Sequence, residues 1–463
     1  PCVQVSVREL AEFFRRSGGL AASSLSRPLT GAEGIRIHQR TFRLLEQEAR
    51  ESSGRLETEV TLATDVMTPG MTLRIGGRID ALLTAPDRIR LIEVKTLAAA
   101  LDHVPDGGDE VHWAQAMLYA HLLGIRRESR EPGSPLFELE LLYVQADTGD
   151  RLGLVRTPSP QEIKSFFDQC TAAYIEWATI LERHRSARNR SLQSLRFPYP
   201  VLRPGQKRLM EEVVGTIRQR STLIVQAPTG TGKTMAVLFP ALKALGRDLC
   251  DHVFYLTAKT AARSVAEKAM GELAEAGLIA RWITLTAKEK ICPRPDLFCD
   301  PEHCPLATHY YDRIRPAVHD LLLHAAVARD LVLETALRHG VCPFELSLDA
   351  SVHCDVVIAD YNYAFDPRVR LERFFGIDSS RRNVLLVDEA HNLPDRSKEM
   401  VSAVLEREAL RKARGAVKGL ERELDRTLDA ALACLDSFLS EPAGEGEPTD
   451  LAPSLARMEP ECS

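Results

Sequence analysis

The sequence predicts an α/β protein of several domains, and three observations support this prediction. Residues 223–238 have the order of an apolar strand, a glycine-containing loop and a helix, and residues 384–391 have the order of an apolar strand and an acidic turn. Residues 72–96 alternate as a series of short strands. With 463 residues, the chain is too long for one hydrophobic core, so two to four domains are expected.

The composition is that of an ordinary globular protein, with 44% hydrophobic and 27% charged residues. No apolar run approaches the roughly 18 residues that a membrane span needs, so no membrane partner is expected. The net charge is −6, so a nucleic acid would have to meet local basic patches on an acidic chain.

The loop that follows residues 223–225, an apolar run predicted to be a buried strand, has the sequence of a phosphate-binding loop. Gly230 and Gly232 let backbone N–H groups approach phosphates, and the N-terminus of the following helix adds partial positive charge. Lys233 would reach the β- and γ-phosphates, and Thr234 would bind Mg²⁺. A glycine turn that binds nothing is the alternative. The nucleotide-binding residues expected in this loop are Ala227, Pro228, Thr229, Gly230, Thr231, Gly232, Lys233 and Thr234.

A second nucleotide motif follows residues 384–387, which are predicted to form a buried strand. Asp388 would hold Mg²⁺ through water, and Glu389 would polarise the water that attacks the γ-phosphate. Residues 388–391 read D-E-A-H, and together with the phosphate loop they resemble a superfamily 2 helicase. The resemblance implies ATP as the nucleotide and includes His391 in its site.

The same resemblance extends to two further positions. Gln206 lies about twenty residues before the phosphate loop, where a helicase glutamine reads adenine with its amide. Residues 253–256 predict a strand, and the polar turn after it contains Lys259, at the place where the family grips the DNA backbone.

The N-terminal strands carry a second candidate site. Strands are predicted at residues 72–75, 78–83 and 89–96, with a turn or bulge at Gly76-Gly77. Asp80 and Glu93 lie on adjacent strands, so their carboxylates can converge on one cation, and Lys95 projects to the same face as Glu93. Two carboxylates suit Mg²⁺ or Mn²⁺, and a neighbouring lysine can orient the attacking water. Taken singly, each carboxylate could also be an exposed strand charge.

This order, G-G-R-I-D followed by E-V-K, resembles the PD-(D/E)XK nuclease superfamily. The RecB-type branch adds an upstream histidine, matched by His38, and a Q-x-x-x-Y pattern, matched by Gln115 and Tyr119 on one helix face. The resemblance implies that His38, Asp80 and Glu93 hold the metal and that Lys95 assists. Gln115 and Tyr119 would order the site or the DNA. Inactive DNA-binding modules share this fold, but all the catalytic residue types are present here.

Four of the ten cysteines, Cys292, Cys299, Cys304 and Cys342, lie between the two nucleotide motifs. Structural zinc usually uses close cysteine pairs, whereas irregular spacing suits an iron–sulfur cluster. With the C-P-F-E that begins at Cys342, the insertion resembles the XPD/DinG family of iron–sulfur helicases. The resemblance implies a 4Fe–4S cluster held by the four cysteines, in a domain that lines the pore for single-stranded DNA. Zinc and unliganded core cysteines stay as alternatives, and Cys354 is expected in the core.

These patterns divide the chain into five parts, and the fold class is α/β with a nuclease-like domain and a P-loop RecA-like domain. The parts are a PD-(D/E)XK nuclease-like domain (1–182), a basic linker (183–196), RecA-like helicase domain 1 (197–280 and 346–398), an iron–sulfur insertion (281–345) and the start of a helical arch insertion with a flexible tail (399–463). The linker arginines could contact DNA or form a solvated helix end. Within 398–439, a packed helix pair is favoured over a coiled coil.

The resemblances together imply an ATP-dependent DNA helicase with a metal-dependent nuclease domain. By family analogy, it would move 5′→3′ on DNA with single-stranded regions, in cytoplasmic DNA repair or recombination. No second RecA-like half follows the D-E-A-H box, which implies a piece that binds ATP but cannot unwind alone. Two alternatives stay open, a DNA nuclease with a regulatory ATP-binding module and a non-catalytic DNA-binding scaffold.

Overall fold

The computed structural model describes residues 2–20, 31–51, 54–85, 88–128, 136–228, 230–258, 260–376, 381–402, 405–418 and 422–440. The chain divides into two compact units. The first comprises Pro1–Ala364 and Leu371–Ala390, and the second comprises Phe365–Arg370 and His391–Ser463. Within the described residues, no helix is both long enough and apolar enough to cross a membrane.

A mixed sheet of six strands forms the N-terminal part of the first unit. Its strands are β1 (Cys2–Ser6), β2 (Arg55–Met67), β3 (Thr72–Thr84), β4 (Arg88–Leu97), β5 (Leu136–Gln145) and β6 (Arg151–Arg156). The order is β1-β3-β4-β5-β6, and β2 also pairs with β3. The pairs β1–β3 and β4–β5 are parallel, and the others are antiparallel. The predicted break at Gly76-Gly77 is wrong, because β3 runs through both glycines.

Four helices cover this sheet, namely α1 (Val7–Arg15), α2 (Gly31–Glu51), α3 (Glu110–Glu128) and α4 (Pro160–Ser194). One face of the sheet packs against α1, α3 and α4 through a core that includes Leu10, Leu118 and Phe167. The other face packs against α2 through a smaller core that includes Leu45. The sheet is therefore buried on both faces, which explains the near-continuous apolar runs of its central strands.

The long helix α4 leads from this sheet to the next, and it corrects the predicted linker at residues 183–196. These residues are mainly the last turns of a 35-residue helix. Arg188 is only 7% exposed and pairs with the buried Asp355 at 2.7 Å, and Arg185 pairs with Asp248 at 2.7 Å. Arg188 is therefore bound inside the protein, whereas Arg185 forms an ion pair at the surface.

A parallel sheet of five strands forms the rest of the first unit, in the order β11-β7-β10-β8-β9. Its strands are β7 (His252–Leu256), β8 (Trp282–Thr284), β9 (Ala326–Val327), β10 (Val356–Ala359) and β11 (Asn383–Val387). The helices around it are α5 (Gln206–Gln219), α6 (Lys233–Leu245), α7 (Thr260–Glu275), α8 (Lys288–Ile291), α9 (Tyr310–Leu321), α10 (Arg329–His339), α11 (Pro343–Ser351), α12 (Asn362–Phe365) and α13 (Glu372–Phe375). All five residues of β7 are buried, as is typical of a strand inside a parallel sheet.

Two segments that were predicted to be buried strands differ from that prediction. Residues 223–225 do not join it, and Ile224 is 92% exposed. Residues 384–387 do lie in β11, but Leu385 is 38% exposed. Among the described strands, β11 pairs with β7 only, so its outer edge has no neighbour to cover it. The apolar run at residues 384–387 predicted a strand correctly, and the run at residues 223–225 did not. Burial of β11 on its outer side would need a further strand, which the described sheet lacks.

The second unit contains α14 (Leu393–Val401), α15 (Arg407–Val417) and α16 (Arg422–Ser440). Helices α15 and α16 pack as a pair and are joined by two ion pairs, Arg407–Asp436 and Arg414–Asp429, each at 2.5 Å. The predicted packed helix pair is thus confirmed. Residues 441–463, which were predicted to be flexible, lie outside the described residues.

Candidate active sites

Asp80 on β3 and Glu93 on β4 come together where the two strands pair, as predicted. The Asp80 Oδ2 atom accepts a hydrogen bond from the Val94 N–H at 2.9 Å. Burial raises the pKa of Asp80, against the lowering effects of that hydrogen bond and of His38 and Lys95. Burial also raises the pKa of Glu93 to about 7, with Lys95 opposing the rise and Asp80 adding to it.

Glu93 has one carboxylate oxygen that is left without a partner. Its side chain is 7% exposed, and its Oε1 atom accepts from Lys95 at 2.8 Å. The Oε2 atom is buried and has no hydrogen-bond partner among the described residues. A buried, unpaired carboxylate oxygen beside a second carboxylate suits a hard divalent cation, which would neutralise both groups.

Lys95 and Gln115 are held together at this site. The Lys95 ammonium group donates to Glu93 Oε1 and to Gln115 Oε1, both at 2.8 Å. Gln115 comes from α3 and is 4% exposed, so the helix places a buried amide directly against the strand lysine. These two acceptors fix the position of the Lys95 ammonium group.

Tyr119, one turn further along α3, contacts β3 closely. Its hydroxyl accepts from the Arg78 N–H at 3.2 Å. A Cβ atom at Gly77 would lie 2.7 Å from the Tyr119 hydroxyl oxygen, closer than any ordinary contact. Gly77 is therefore needed for close approach of the tyrosine, whereas the sequence had suggested a turn or bulge.

The predicted metal trio is only partly assembled. The His38 charge influences Asp80, and Asp80 influences Glu93. Across the described ranges, however, no three His, Cys, Asp or Glu side chains are grouped closely enough to hold a metal ion. The assignment of His38, Asp80 and Glu93 as metal ligands stays a prediction.

Two basic residues near this site were missed by the sequence analysis. Arg8 on α1 lowers the pKa of Glu93 through its charge, and His112 on α3 is influenced by both Lys95 and Arg8. Arg8 follows the capping serine of α1, and nothing in its local sequence indicates a site. His112 lies three residues before Gln115, a spacing that would have placed both on one helix face.

The phosphate loop leads directly into α6, as predicted, and both of its glycines adopt positive φ angles, +78° for Gly230 and +74° for Gly232. The Lys233 ammonium group donates to the Ala227 carbonyl at 2.9 Å, across its own loop. The Thr231 hydroxyl donates to the Pro228 carbonyl at 2.9 Å. Thr229 lies outside the described residues.

Gln206 contacts the phosphate loop from the first turn of α5. Its Oε1 atom accepts from the Arg203 N–H at 2.7 Å, and its Nε2 atom lies 3.3 Å from the Gly232 carbonyl to which it donates. The side chain is 4% exposed. The glutamine is therefore next to the nucleotide loop, while its role with adenine stays a prediction.

The two nucleotide motifs meet at the carboxyl edge of the parallel sheet. Thr234 Oγ1 lies 3.4 Å from the Tyr255 hydroxyl, on β7. Burial raises the pKa of Tyr255, and Asp388 and Glu389 add to the rise. Tyr255 thus lies close to both the loop threonine and the acidic pair after β11. This is the edge at which ligands bind in open parallel sheets.

Tyr361, which follows β10, also contacts the acidic turn and was not predicted. Its hydroxyl donates to the Asp388 carbonyl and lies 3.2 Å from the Glu389 carbonyl. Glu389 has a φ angle of +50°, which is uncommon for a residue with a side chain. His391 lies in a short 3₁₀ turn, Ala390–Asn392, and is the first residue of the second segment of the second unit. Lys259 lies outside the described residues.

Two of the four predicted cysteine ligands, Cys299 and Cys342, lie near the Lys288 side chain, and Cys292 lies near Cys342. Cys299, and less strongly Cys342, raise the pKa of Lys288. Burial raises the pKa of Cys342, and Cys292 adds to the rise. Cys292 Sγ accepts from the Arg294 N–H at 3.4 Å, and Cys304 is buried. Soft thiol donors with a cation and an amide N–H beside them fit an iron–sulfur cluster chemically, although the described side chains form no closed metal group.

The N-terminal domain contacts this cysteine insertion directly. Leu20 N donates to the Ala307 carbonyl and Tyr311 N donates to the Gly18 carbonyl, both at 2.9 Å. Arg16 donates to the Tyr311 hydroxyl at 2.6 Å and lies 3.8 Å from the centre of its ring. The segment after α1 is thus bound to the insertion at Ala307 and Tyr311, two residues that follow Cys304 in the sequence.

These arrangements define two classes of domain, a P-loop nucleotide-binding domain with a D-E-A-H turn and a PD-(D/E)XK-like domain. Residues 6–220 match the model of the PD-(D/E)XK nuclease superfamily. Residues 203–286 match the DEAD/DEAH box helicase model, and residues 263–410 match the DEAD_2 model. The chain therefore contains a region similar to the PD-(D/E)XK nuclease superfamily and a region similar to the DEAD/DEAH box helicases, in agreement with the resemblances to the nuclease superfamily and to the superfamily 2 helicases.

Curated relatives match the helicase part. Regulator of telomere elongation helicase 1 of Bos taurus is 25% identical over 255 residues, which cover 42% of this chain and 20% of the relative. The general transcription and DNA repair factor IIH helicase subunit XPD/RAD3 of Saccharomyces cerevisiae is 24% identical over 266 residues, which cover 49% of this chain and 33% of the relative. The chain thus spans between 20% and 33% of the length of these relatives.

Solved structures that match part of the chain include one titled XPD helicase. It has 20% sequence identity and a TM-score of 0.36, and the match covers 56% of this chain and 45% of that chain. A structure titled truncated XPD has 20% identity and a TM-score of 0.35, and the match covers 54% of this chain and 75% of that chain.

Proposed function

We propose that this chain is part of an ATP-dependent DNA helicase of the XPD type that also carries a metal-dependent DNA nuclease domain. The observation that carries the proposal is the meeting of the phosphate loop and the acidic turn at Tyr255. A loop lysine, a loop hydroxyl and two carboxylates at one sheet edge are the groups that ATP hydrolysis needs.

In the nucleotide site, Lys233 would exchange the Ala227 carbonyl for the β- and γ-phosphates of ATP. Thr234 and Asp388 would hold Mg²⁺, which neutralises phosphate charge when bound. Glu389 would accept a hydrogen bond from the attacking water and hold it in line with the γ-phosphate. Gln206, already beside Gly232, would read the adenine.

In the carboxylate site, formed by Asp80, Glu93, Lys95, Gln115 and Tyr119, the bound group would be Mg²⁺ or Mn²⁺. Asp80 and Glu93 would hold it, with His38 as a third ligand, and the metal would supply a Lewis acid for phosphodiester hydrolysis. Lys95 would orient the attacking water, and Gln115 keeps the lysine in place. The unpaired Glu93 Oε2 atom is the main support for this role.

In the cysteine insertion, residues 281–345, Cys292, Cys299, Cys304 and Cys342 would hold a 4Fe–4S cluster beside the path of single-stranded DNA. A purified protein with the cluster would be brown and would lose its colour in Cys304→Ser. A colourless protein with one zinc ion per chain would contradict the cluster assignment.

The wider role would be 5′→3′ unwinding in DNA repair or recombination in the cytoplasm, together with a second RecA-like half that completes the ATPase. ATP should therefore bind to this chain, whereas rapid hydrolysis and strand separation need the longer protein.

The deciding experiment separates the two sites. Lys233→Ala should weaken binding of ATP with Mg²⁺ at least tenfold and leave Mn²⁺-dependent cutting of single-stranded DNA unchanged. Glu93→Gln should abolish cutting and leave ATP binding unchanged. Lys268→Ala removes an exposed lysine on α7 and serves as the matched control.

Three outcomes would contradict the proposal. If the longer protein cuts DNA in response to ATP but never separates strands, the ATP-binding half regulates a nuclease. If wild-type protein with Mn²⁺ leaves DNA intact and Asp80→Ala changes nothing, the nuclease part of the proposal is wrong and the domain is a DNA-binding scaffold. If Lys233→Ala binds ATP as well as Lys268→Ala does, the nucleotide site is wrong.

A further inference from the structure

One face of α3 carries a third polar side chain beside the carboxylate site. His112, Gln115 and Tyr119 are spaced by three and four residues, so they lie along one helix face. Gln115 bonds Lys95, and Tyr119 bonds the backbone of β3. His112 lies one turn before Gln115, where the charge of Lys95 reaches it.

The Tyr143 hydroxyl is placed to set the tautomer of the His112 ring. Tyr143 lies on β5, opposite Lys95 in the parallel register. Its hydroxyl accepts from the Asp109 N–H at 3.0 Å, so its own hydrogen is available for His112 Nδ1, 2.9 Å away. With Nδ1 as the acceptor, the neutral imidazole carries its hydrogen on Nε2.

Burial lowers the pKa of His112 to about 4, and the positive charges of Lys95 and Arg8 contribute, while Asp109 opposes them. The ring is therefore neutral near pH 7. In the described part of the chain, Nδ1 bonds Tyr143 and no hydrogen bond involves Nε2. The partly buried ring thus presents one donor, with two cationic side chains nearby.

We propose that His112 is a DNA-binding residue of the nuclease site, and that its Nε2–H group donates to a phosphate oxygen of the DNA strand bound there. The proposal rests on the proposed nuclease function. With its hydrogen on Nε2, the ring offers a donor on this side, so His112 is assigned to the DNA and not to the metal. The cationic neighbours Lys95 and Arg8 favour an anionic partner over a neutral one.

Amide substitutions test the position of the donor. The glutamine amide nitrogen can occupy roughly the place of histidine Nε2, whereas the asparagine amide reaches only the place of Nδ1. His112→Gln should therefore keep the KM for single-stranded DNA with Mn²⁺ close to wild type. His112→Asn and His112→Ala should raise it about tenfold, with kcat changed less than about threefold.

Tyr143→Phe is the second test, because it removes the group that fixes the tautomer and leaves His112 itself in place. We expect a KM between those of wild type and His112→Ala. Thermal unfolding of each variant separates a contact effect from a folding effect. Equal losses in His112→Gln and His112→Asn, or a wild-type KM in His112→Ala, would overturn the proposal.

Binding without cutting keeps this test independent of nuclease activity. The Kd of single-stranded DNA is measured with Ca²⁺ in place of Mn²⁺, for wild type, His112→Gln and His112→Ala. If wild type cuts nothing but His112→Ala weakens binding about tenfold and His112→Gln does not, the nuclease proposal fails and the His112 contact stands. If the three Kd values agree, the contact is wrong whatever the activity.

Discussion

Glu93 combines a buried carboxylate with an unpaired oxygen, and this combination links its protonation to stability. Burial raises its pKa from 4.5 to about 7. A carboxyl group whose pKa is higher in the folded state contributes stability below its unfolded pKa, and the contribution is lost as pH rises through about 7. Without metal, the N-terminal sheet should therefore be less stable at pH 8 than at pH 5.

We predict that Glu93→Gln removes this pH dependence, because glutamine fills the same space and does not ionise. The difference in unfolding free energy between pH 5 and pH 8 should fall by up to about 3 kcal/mol. Amide hydrogen exchange in β3 and β4 of the metal-free protein measures it locally. If wild type and Glu93→Gln lose protection equally between these pH values, the burial of Glu93 is not its cause.

Gly77 is a second residue with a defined contact, the Tyr119 ring 2.7–2.8 Å from where a Cβ atom would lie. Gly77→Ala should cost about 1–3 kcal/mol, since neither β3 nor the buried ring can move freely. Gly124→Ala is the control, because Gly124 lies in α3 with nothing within 4 Å of its Cβ position. That change should stabilise the protein by about 0.5–1 kcal/mol. Urea unfolding of both variants gives the comparison, and equal effects would contradict the contact.

These residues show what the sequence could predict of the carboxylate site. Asp80, Glu93 and Lys95 have the residue types and spacing that metal binding requires, so their meeting was predictable, and Gln115 was expected from the resemblance to the PD-(D/E)XK nucleases. The role of Gly77 was not, because a glycine pair in a strand indicates a bulge as readily as a close contact. His112 and Tyr143 meet across 31 residues of sequence, and neither belongs to a spacing pattern that would have identified the pair.

Among the elements, α4 differs most from its prediction, and Asp355 explains why. The Asp355 carboxylate accepts from Arg188 at 2.7 Å, from the Arg281 N–H at 2.8 Å, and pairs with His184 at 2.8 Å. Burial acts to raise its pKa, but the hydrogen bond to His184 and the charge of Arg188 outweigh it, so the pKa is lowered. The run of arginines predicted to be a linker is thus the end of a helix that is attached to the parallel sheet.

We predict that Asp355→Asn destabilises the protein by about 3–5 kcal/mol, because it leaves the buried Arg188 without its counter-charge. Asp248→Asn breaks the more exposed pair with Arg185, whose side chains are 51% and 48% exposed, and should cost about 0–1 kcal/mol. Urea unfolding measures both. A loss below about 1 kcal/mol in Asp355→Asn would show that this pair does not fasten α4.

The strands of the helicase part show a different limit of prediction from sequence. Residues 253–256 and 384–387 form strands as their apolar runs predict, and residues 223–225, with the same character, do not. An apolar run reports that a segment can be buried, but the sheet neighbour that buries it is a property of the whole fold. Ile224 and Leu385 are exposed where the described sheet offers no such neighbour.

At the scale of the whole first unit, the two domains were predicted but their contact was not. The segment after α1 forms backbone hydrogen bonds with the cysteine insertion, and Gly18 N donates to Asp312 Oδ1 at 3.1 Å. Arg315 adds a contact 3.9 Å from the centre of the Phe13 ring. None of these residues belongs to a motif, so only the folded chain reveals the contact. The helix that carries Arg8 is thereby fastened to the insertion.

We predict that loosening the insertion side of this contact reaches α1. Tyr311→Ala combined with Asp312→Ala removes the partners of Arg16 and Gly18, and amide exchange in α1 should become about tenfold faster, since contacts of this kind contribute about 1–2 kcal/mol together. Asp330→Ala is the control, because Asp330 on α10 is 93% exposed and lies outside the contact. Unchanged exchange in α1 of the double variant would mean that the domains touch without stabilising each other. Faster exchange confined to α1 would mean that the insertion stabilises this helix. The same helix carries Arg8, whose charge lowers the pKa of Glu93.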